Sequence, residues 1–170
     1  MPIDRALPVY AALKLLPDRL HVDLLTTAVN HLMRGQEIEE QLDYLEGKRV
    51  CLALEETGNR FHIRISGRRL HGCSAHLPWD VRISGKLVDF WRLANRSEDP
   101  DTLFFNRDLK LEGDTDAALY IKNLLDALEF DLDRHLQEVV GPAWAPRIKE
   151  LIERVERSAL AERMQRLVQA

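Results

Sequence analysis

Long apolar runs are absent from this 170-residue chain. No stretch reaches the roughly 18 consecutive apolar residues that a membrane-spanning helix needs, so we predict no transmembrane segment. Near the N-terminus, the apolar stretch from Ala6 to Leu16 is interrupted by Pro8 and Lys14, and no small-residue cleavage site follows it. This pattern differs from a secretory leader. Both absences favour a cytoplasmic protein.

The chain also has few cysteines and no excess of positive charge. The chain has two cysteines, Cys51 and Cys73, which provide no disulfide framework and fit a reducing compartment. A formal net charge of −4 offers no basic surface to a polyanion, so we expect no nucleic-acid partner. The length fits one domain with extensions. We expect it in the cytoplasm, with a transient peripheral contact to the inner membrane as an open alternative.

Motifs that carry catalysis are missing as well. The chain contains no P-loop and no G-x-G-x-x-G, and although Ser66 and Ser84 each precede a glycine, neither lies in a nucleophile elbow. His71, Cys73 and His76 have side chains that suit zinc or iron, but no fourth ligand is evident nearby. We therefore predict no catalytic residues, no metal site and no cofactor.

An acidic tract in the middle of the chain has a structural explanation. Asp99 precedes Pro100, which suits a helix N-cap followed by proline at the first helical position. Asp114 or Thr115 can cap a longer helix in the same way. Carboxylates at these positions, together with Asp101, Asp108 and Glu112, are typical of caps and turns, so we prefer that role to magnesium binding or acid–base catalysis.

The first part of the chain shows helical periodicity. Residues 18–34 are predicted to form a helix whose apolar stripe consists of Leu20, Leu24, Ala28 and Leu32. Helical spacing continues through Ile38, Leu42 and Leu45 as far as Gly47. A further amphipathic helix is predicted from Pro142 onward. We expect a helical extension over residues 1–46, a central domain over 47–140 and a C-terminal helix over 141–170.

The central part has the period of strands. Large residues alternate in Val50–Leu54. In the next segment, Phe61, Ile63 and Ile65 alternate with polar residues, and these polar residues are expected to lie on a wet face of the sheet. Residues 57–59 form a turn between these strands, which predicts an antiparallel hairpin. Further strands are predicted at Leu70–Leu77, around Val81 and Ile83, and around Leu109 and Leu111. The fold class is therefore α+β, with a five-stranded, mostly antiparallel sheet and helices on one face.

Residues 80–129 include two predicted helices with broad apolar faces. A helix over residues 86–95 carries a stripe of Leu87, Phe90, Trp91 and Ala94, which Val88 and Leu93 widen, and a long helix follows over residues 115–129. Between them lies Leu103-Phe104-Phe105. Pattern alone leaves two explanations open, an ordinary packed core or a container for an apolar ligand, because an apolar stripe does not reveal whether protein or lipid covers it.

The same block carries a family resemblance. The strand Val81-Arg82-Ile83-Ser84-Gly85, a helix, the strand Leu109-Lys110-Leu111-Glu112-Gly113-Asp114 and a long helix resemble the lipid-binding domain of the sterol carrier protein type 2 family. The tracts Leu93-Ala94-Asn95-Arg96, Glu98 to Phe105 and Asn123 to Glu129 are similar to one bacterial branch, the T-type ubiquinone biosynthesis accessory factors. The close similarity covers about fifty residues, and a looser one extends back to roughly Gly47.

This resemblance implies a helix-covered sheet that encloses an apolar tunnel. It implies a non-catalytic protein that shelters polyprenylated quinone intermediates, or other lipids, in oxygen-independent ubiquinone synthesis, with iron–sulfur hydroxylases as partners. A general phospholipid or fatty-acid carrier and a protein-interaction module without lipid stay open as alternatives. The residues expected to contact lipid are Leu87, Phe90, Trp91, Leu103, Phe104, Phe105, Leu109, Leu111, Ile121, Leu124, Leu125 and Leu128.

Overall fold

A computed structural model describes residues 18–34 and 38–127, together with 137, 141–143, 145–147, 149–150, 153–154 and 157. The part of the predicted helical extension before Asp18, most of the predicted C-terminal helix, and Leu128 lie outside the described residues. By its contacts the chain divides into two compact units, residues 16–130 and residues 1–15 with 131–170. All the elements below belong to the first unit.

The helices and strands follow the predicted order. The helical elements are α1 (Asp18–Met33), α2 (Ile38–Gln41), a 3₁₀ helix (Leu42–Leu45), α3 (Leu87–Ala94), α4 (Pro100–Phe105) and α5 (Thr115–Ala127). The strands are β1 (Arg49–Leu54), β2 (Arg60–Ser66), β3 (Arg69–Gly72), β4 (Val81–Gly85) and β5 (Leu109–Gly113).

The five strands form one sheet in the order β3-β2-β1-β4-β5. β1 and β2 form the predicted antiparallel hairpin, and the β2–β3 and β4–β5 pairs are antiparallel too, while β1 and β4 are parallel. The prediction of a mostly antiparallel α+β sheet is confirmed. The third strand is shorter than predicted, because the chain leaves the sheet edge after Gly72 and must cross to β4 by Val81.

Register places the large apolar residues on one face of the sheet. Val50 lies opposite both Ile63 and Val81, and Leu52 lies opposite both Phe61 and Ile83. Side chains from α1, α2, the 3₁₀ helix and α5 join this face in one core cluster, of which Leu45, Val81 and Ile83 are among the most buried members. The helices therefore cover this face, as predicted.

The opposite face is less exposed than the alternation predicted. His62, expected on a wet face, is 8% exposed and lies 3.9 Å from the buried Cys51 thiol. Residues 75–79 line a surface hollow together with Arg60 and His62, so the segment between β3 and β4 shields part of this face. The prediction of a wet face holds at the exposed Arg64 and was wrong at His62, because the crossing segment supplies a cover that alternation within one strand does not reveal.

The predicted stripe of α1 was also wrong in part. Leu20 and Leu24 are 45% and 56% exposed, whereas Val22, Thr26, Leu32 and Met33 are buried. The reason lies in β3, because a side chain at Gly72 would meet Val22 Cγ1 at 2.9 Å. The absence of a Cβ lets this turn of α1 approach the sheet edge, which brings the Val22 side of the helix inward.

In α3 the residues predicted to widen the apolar stripe are buried, together with two charged residues, and the centre of the stripe is less buried. Val88, Asp89, Arg92 and Leu93 are buried, while Leu87, Trp91 and Ala94 are only half-buried. Arg92 Nη1 donates a hydrogen bond of 3.1 Å to Asp89 Oδ1, and both residues are 4% exposed. Paired in this way, the two charges tolerate burial that neither would tolerate alone.

Both predicted caps are confirmed. Asp99 Oδ2 accepts a hydrogen bond of 3.0 Å from the Thr102 amide at the start of α4, where Pro100 is the first residue. Asp114 Oδ1 accepts from the amides of Asp116 and Ala117, both at 3.1 Å, at the start of α5. These bonds satisfy amide groups that a helix leaves free at its N-terminus.

Candidate functional site: an apolar cavity between α1, α5 and the sheet

An apolar cavity of about 160 Å³ lies between the helices and the sheet. Every side chain that lines it is a hydrocarbon or a thioether, so it offers no charge and no side-chain hydrogen bond to a ligand. The lining residues are Leu25, Val29, Met33, Ile38, Leu42, Leu45, Val50, Leu52, Ile63, Ile65, Leu70, Ile121, Leu124 and Leu125.

Four parts of the fold supply these walls. Leu25, Val29 and Met33 recur every four residues, so they share one face of α1. Ile121, Leu124 and Leu125 come from α5, where spacings of three and four residues also place side chains on one face. The strands β1, β2 and β3 contribute the floor, and α2 with the 3₁₀ helix closes one side. Helices from two distant parts of the sequence thus meet over one sheet face.

The size of the cavity limits what it holds in this conformation. An engineered apolar cavity of about 150 Å³ in another protein stays dry and accepts benzene. The cavity here therefore has room for a group of about that size. A continuous apolar tunnel, implied by the family resemblance, is not shown.

The predicted lipid-contact residues divide between several places. Ile121, Leu124 and Leu125 line the cavity. Leu103 and Leu109 are fully buried in a second cluster with Leu93. Phe90 and Phe104 pack against both clusters, Leu111 packs against the main core, and Leu87 and Trp91 are half-buried. Phe105 is 88% exposed, and Leu128 lies outside the described residues. Their contact with lipid stays a prediction.

Sequence reasoning missed most of the cavity lining. Residues of α1, the 3₁₀ helix and the first three strands were assigned to an extension or to the general core. A signal was present, since Leu25, Val29 and Met33 form an apolar stripe as regular as the one chosen. The choice between the two stripes depends on the contact between Val22 and Gly72, which joins residues far apart in sequence.

Two polar hollows lie outside the cavity. They have volumes of about 480 and 520 Å³ and share Arg60, His62, Ala75 and His76. Cys73 lines the first of them, and Cys51 is buried beneath the sheet face. Burial raises the pKa of both the Cys51 and the Cys73 thiol above 9.0, so both stay protonated at neutral pH and are weak nucleophiles.

The predicted metal-ligand candidates are not brought together. Within the part of the chain that the structure describes, no three or more His, Cys, Asp or Glu side chains are grouped to hold a metal ion. His71 lies on β3 with Nε2 3.2 Å from the Ser66 carbonyl oxygen, and it is not among the residues that line the hollow with Cys73 and His76. No described helix is both long and apolar enough to cross a membrane.

An α+β domain whose helices and sheet line a wholly apolar cavity has the architecture of the sterol-carrier-like domains. Residues 29–126 match the SCP-2 sterol transfer family. This match spans more than half of the chain, and the chain belongs to that family.

Similar proteins indicate which branch of the family the chain resembles. The chain is 33% identical over 118 residues to the ubiquinone biosynthesis accessory factor UbiT of Escherichia coli K12. The aligned residues cover 69% of this chain and 67% of the relative. The same protein from Escherichia coli O157:H7 matches to the same extent. The homology confirms the resemblance to the ubiquinone accessory branch.

A solved structure supports the fold. The UbiJ-SCP2 ubiquinone synthesis protein aligns with a TM-score of 0.55 and 17% identity, over 65% of this chain and 96% of that one. At this identity the likeness concerns the fold alone.

Proposed function

We propose that this protein is a non-catalytic lipid-binding factor that shelters polyprenylated quinone intermediates for enzymes of ubiquinone biosynthesis, in the oxygen-independent branch of that pathway. The observation that carries the proposal is the cavity, whose fourteen lining residues are all apolar. The pathway comes from homology to UbiT, a ubiquinone biosynthesis accessory factor. The apolar lining supports binding, and offers no group for acid–base or nucleophilic chemistry.

The physical need for such a factor follows from the hydrophobic effect. Each methylene removed from water contributes about 0.8 kcal/mol, so a polyprenyl chain has a negligible free concentration in the cytosol. An enzyme that modifies the ring of such a lipid needs the chain to be held elsewhere. An apolar cavity meets this need by burial alone.

Loading a polyprenyl chain requires the walls of the cavity to separate, because the chain is larger than the 160 Å³ void. One of these walls is α1, which contacts the sheet at its edge, at β2 and β3. The void supplies a starting point, because the first apolar group to enter fills empty space and displaces no packed side chain.

The redox chemistry of ring hydroxylation has to come from a partner. Iron–sulfur clusters are usually held by four cysteine thiolates, and this chain has two cysteines in total. We propose iron–sulfur hydroxylases as the enzymes that receive the lipid, with a transient membrane contact when the lipid is collected.

Lipid identification tests the proposal. The purified full chain is analysed by native mass spectrometry, and bound lipid is then extracted and identified. A prenylated quinone or its precursor, either co-purified or taken up when offered, is the expected result. Phospholipid or fatty acid as the sole cargo would support the general carrier, and no lipid with no uptake of an excess of prenylated quinone would overturn lipid binding.

A further inference from the structure

His21 stands out among the polar residues near the cavity. Both of its ring nitrogens, Nδ1 and Nε2, are shielded from solvent, and within the described part of the chain neither makes a hydrogen bond. A neutral imidazole has one N–H donor and one acceptor nitrogen. Leaving both unpaired and shielded is unfavourable, and buried polar side chains in proteins nearly always have partners.

His21 is not among the residues that line the cavity, but two independent relationships connect it with residues that do. Along α1, His21 lies one helical turn before Leu25, on the same face, and Leu25 lines the cavity. Between α1 and β2, the His21 ring lies 5.9 Å from the Phe61 ring, centroid to centroid. Phe61 is the register partner of Leu52, which also lines the cavity.

The polar group nearest to this side of the cavity is therefore an imidazole outside its apolar lining. The cavity walls are apolar throughout, whereas an imidazole with an unused donor and an unused acceptor lies beyond Leu25 and Leu52. A ligand with an apolar chain and a small polar ring matches this order of groups. The chain removes apolar surface from water in the cavity, and oxygen atoms on the ring pair with the imidazole.

We propose that His21 is a binding residue for the head group of the lipid, and that this head group is an uncharged ring bearing hydroxyl or carbonyl oxygens, with its chain in the cavity. A phenol hydroxyl can donate to the acceptor nitrogen, and a carbonyl oxygen can accept from the N–H. An uncharged ring suits the position beside Phe61 better than a carboxylate or phosphate, because burying an anion requires full compensation. The inference rests on the proposed function and deepens it.

The test compares two ligands and two proteins. Decyl-ubiquinone and decylbenzene share the same chain, but only the first has ring oxygens. We expect the wild-type protein to bind decyl-ubiquinone more tightly. The variant His21→Phe keeps a ring against Phe61 and removes both nitrogens, so it should weaken binding of decyl-ubiquinone by about three- to tenfold. Its affinity for decylbenzene should stay the same or rise.

The control variant is His71→Phe, which makes the same substitution at an exposed position on β3. It should leave both affinities unchanged. The imidazole nitrogens are also observed directly, in wild-type protein labelled with ¹⁵N-histidine. The His21 resonances should shift when decyl-ubiquinone is added and should not shift with decylbenzene, so the proposal stays testable even where His21→Phe folds poorly.

The outcomes separate a failure of the role of His21 from a failure of the proposed function. Equal affinity of wild type and His21→Phe for decyl-ubiquinone, with no change at the His21 nitrogens, overturns the role of His21 and leaves lipid binding in place. If the wild-type protein binds decylbenzene but discriminates against the quinone, the ring assignment and the ubiquinone pathway both fail. If it binds neither ligand, the proposed function fails and the role of His21 fails with it.

Discussion

The side-chain amide of Asn30 pairs with both backbone groups of Leu70. Asn30 Nδ2 donates to the Leu70 carbonyl oxygen and Asn30 Oδ1 accepts from the Leu70 amide, each at 2.8 Å. Leu70 lies on β3, the edge strand, so the asparagine occupies the place that a further strand would take. Because Val29 and Leu70 both line the cavity, this pair fastens one cavity wall to the sheet.

Replacing Asn30 should therefore loosen α1. In Asn30→Ala, the donor and the acceptor of Leu70 both lose their partner in a part-buried position, which should lower the free energy of unfolding by about 1–3 kcal/mol. Urea denaturation followed by circular dichroism measures the change. Asn123→Ala, at an exposed position on α5, is the matched control and should change stability by less than about 0.5 kcal/mol.

The substitution Asn30→Asp separates the two hydrogen bonds. An aspartate keeps an acceptor for the Leu70 amide and loses the donor to the Leu70 carbonyl. We therefore expect the free energy of unfolding of Asn30→Asp to lie between those of wild type and Asn30→Ala. If Asn30→Ala is as stable as the Asn123→Ala control, the pair does not hold α1 in place.

Filling the cavity should reduce lipid binding without unfolding the protein. In Val29→Phe, a larger side chain enters the 160 Å³ void from α1. Because the added carbons have space, the free energy of unfolding should change by less than about 1.5 kcal/mol. Retention of lipid, measured by native mass spectrometry, should fall several-fold.

The control is Leu119→Phe, which adds a ring at an exposed position on α5. It should retain as much lipid as wild type. If Val29→Phe retains lipid equally well, the lipid lies outside this cavity, and the cluster of Leu93, Leu103 and Leu109 becomes the place to substitute next.

Gly85, at the end of β4, has a close neighbour that explains its lack of a side chain. A Cβ there would lie 2.6 Å from Leu109 Cδ2 and 2.7 Å from the backbone oxygen of Asp108. The leucine can rotate, but the backbone oxygen belongs to the chain entering β5. Gly85→Ala should therefore lower the free energy of unfolding by about 1–3 kcal/mol, through displacement of packed backbone.

Thermal and urea unfolding measure the effect of Gly85→Ala. The comparison is Gly58→Asn, at a turn position with φ +74° and nothing within 4 Å of an added Cβ. Asparagine tolerates this conformation, so the change should be within about 0.5 kcal/mol. Similar stabilities for the two variants would show that the sheet accommodates a methyl group beside Asp108.

Local pattern was enough to predict the strands of the sheet, apart from the end of the third strand. Alternation of Phe61, Ile63 and Ile65, and the short turn before them, depend on neighbouring residues alone. The caps at Asp99 and Asp114 are local for the same reason. These parts of the fold were therefore predictable from single segments.

The cavity and the inward faces of two helices depend on residues far apart in sequence. α1 has two apolar stripes, and the contact between Val22 and Gly72 selects one of them. In α3, pattern favours an apolar inward face, but Asp89 and Arg92 are buried as a pair. Burial of charge is favourable only when a partner is in place, so a hydrophobic pattern does not predict it.

Lys48 and Asp114 join the start of β1 to the start of α5. Lys48 Nζ donates a hydrogen bond of 2.6 Å to Asp114 Oδ2. This bond, followed by the one from the Ala117 amide, lowers the pKa of the Asp114 carboxyl below its ordinary 3.8. The same bond to Asp114 raises the pKa of the Lys48 ammonium above 10.5.

The stabilisation from this pair should therefore depend on pH in a defined way. A carboxyl with a lowered pKa stabilises the fold above its ordinary pKa of 3.8, and the effect is lost as the pH falls through the lower folded value. Asp114→Asn keeps an oxygen that can cap α5 and removes the charge, so wild type should be the more stable at neutral pH, with the difference shrinking below pH 3.8. Urea denaturation across the acid range measures this difference.

Repeating the comparison in a Lys48→Met background is the control, because most of the difference should disappear when the ammonium is absent. A difference that persists unchanged in that background would assign the lowered pKa to the backbone amides of α5 instead of Lys48.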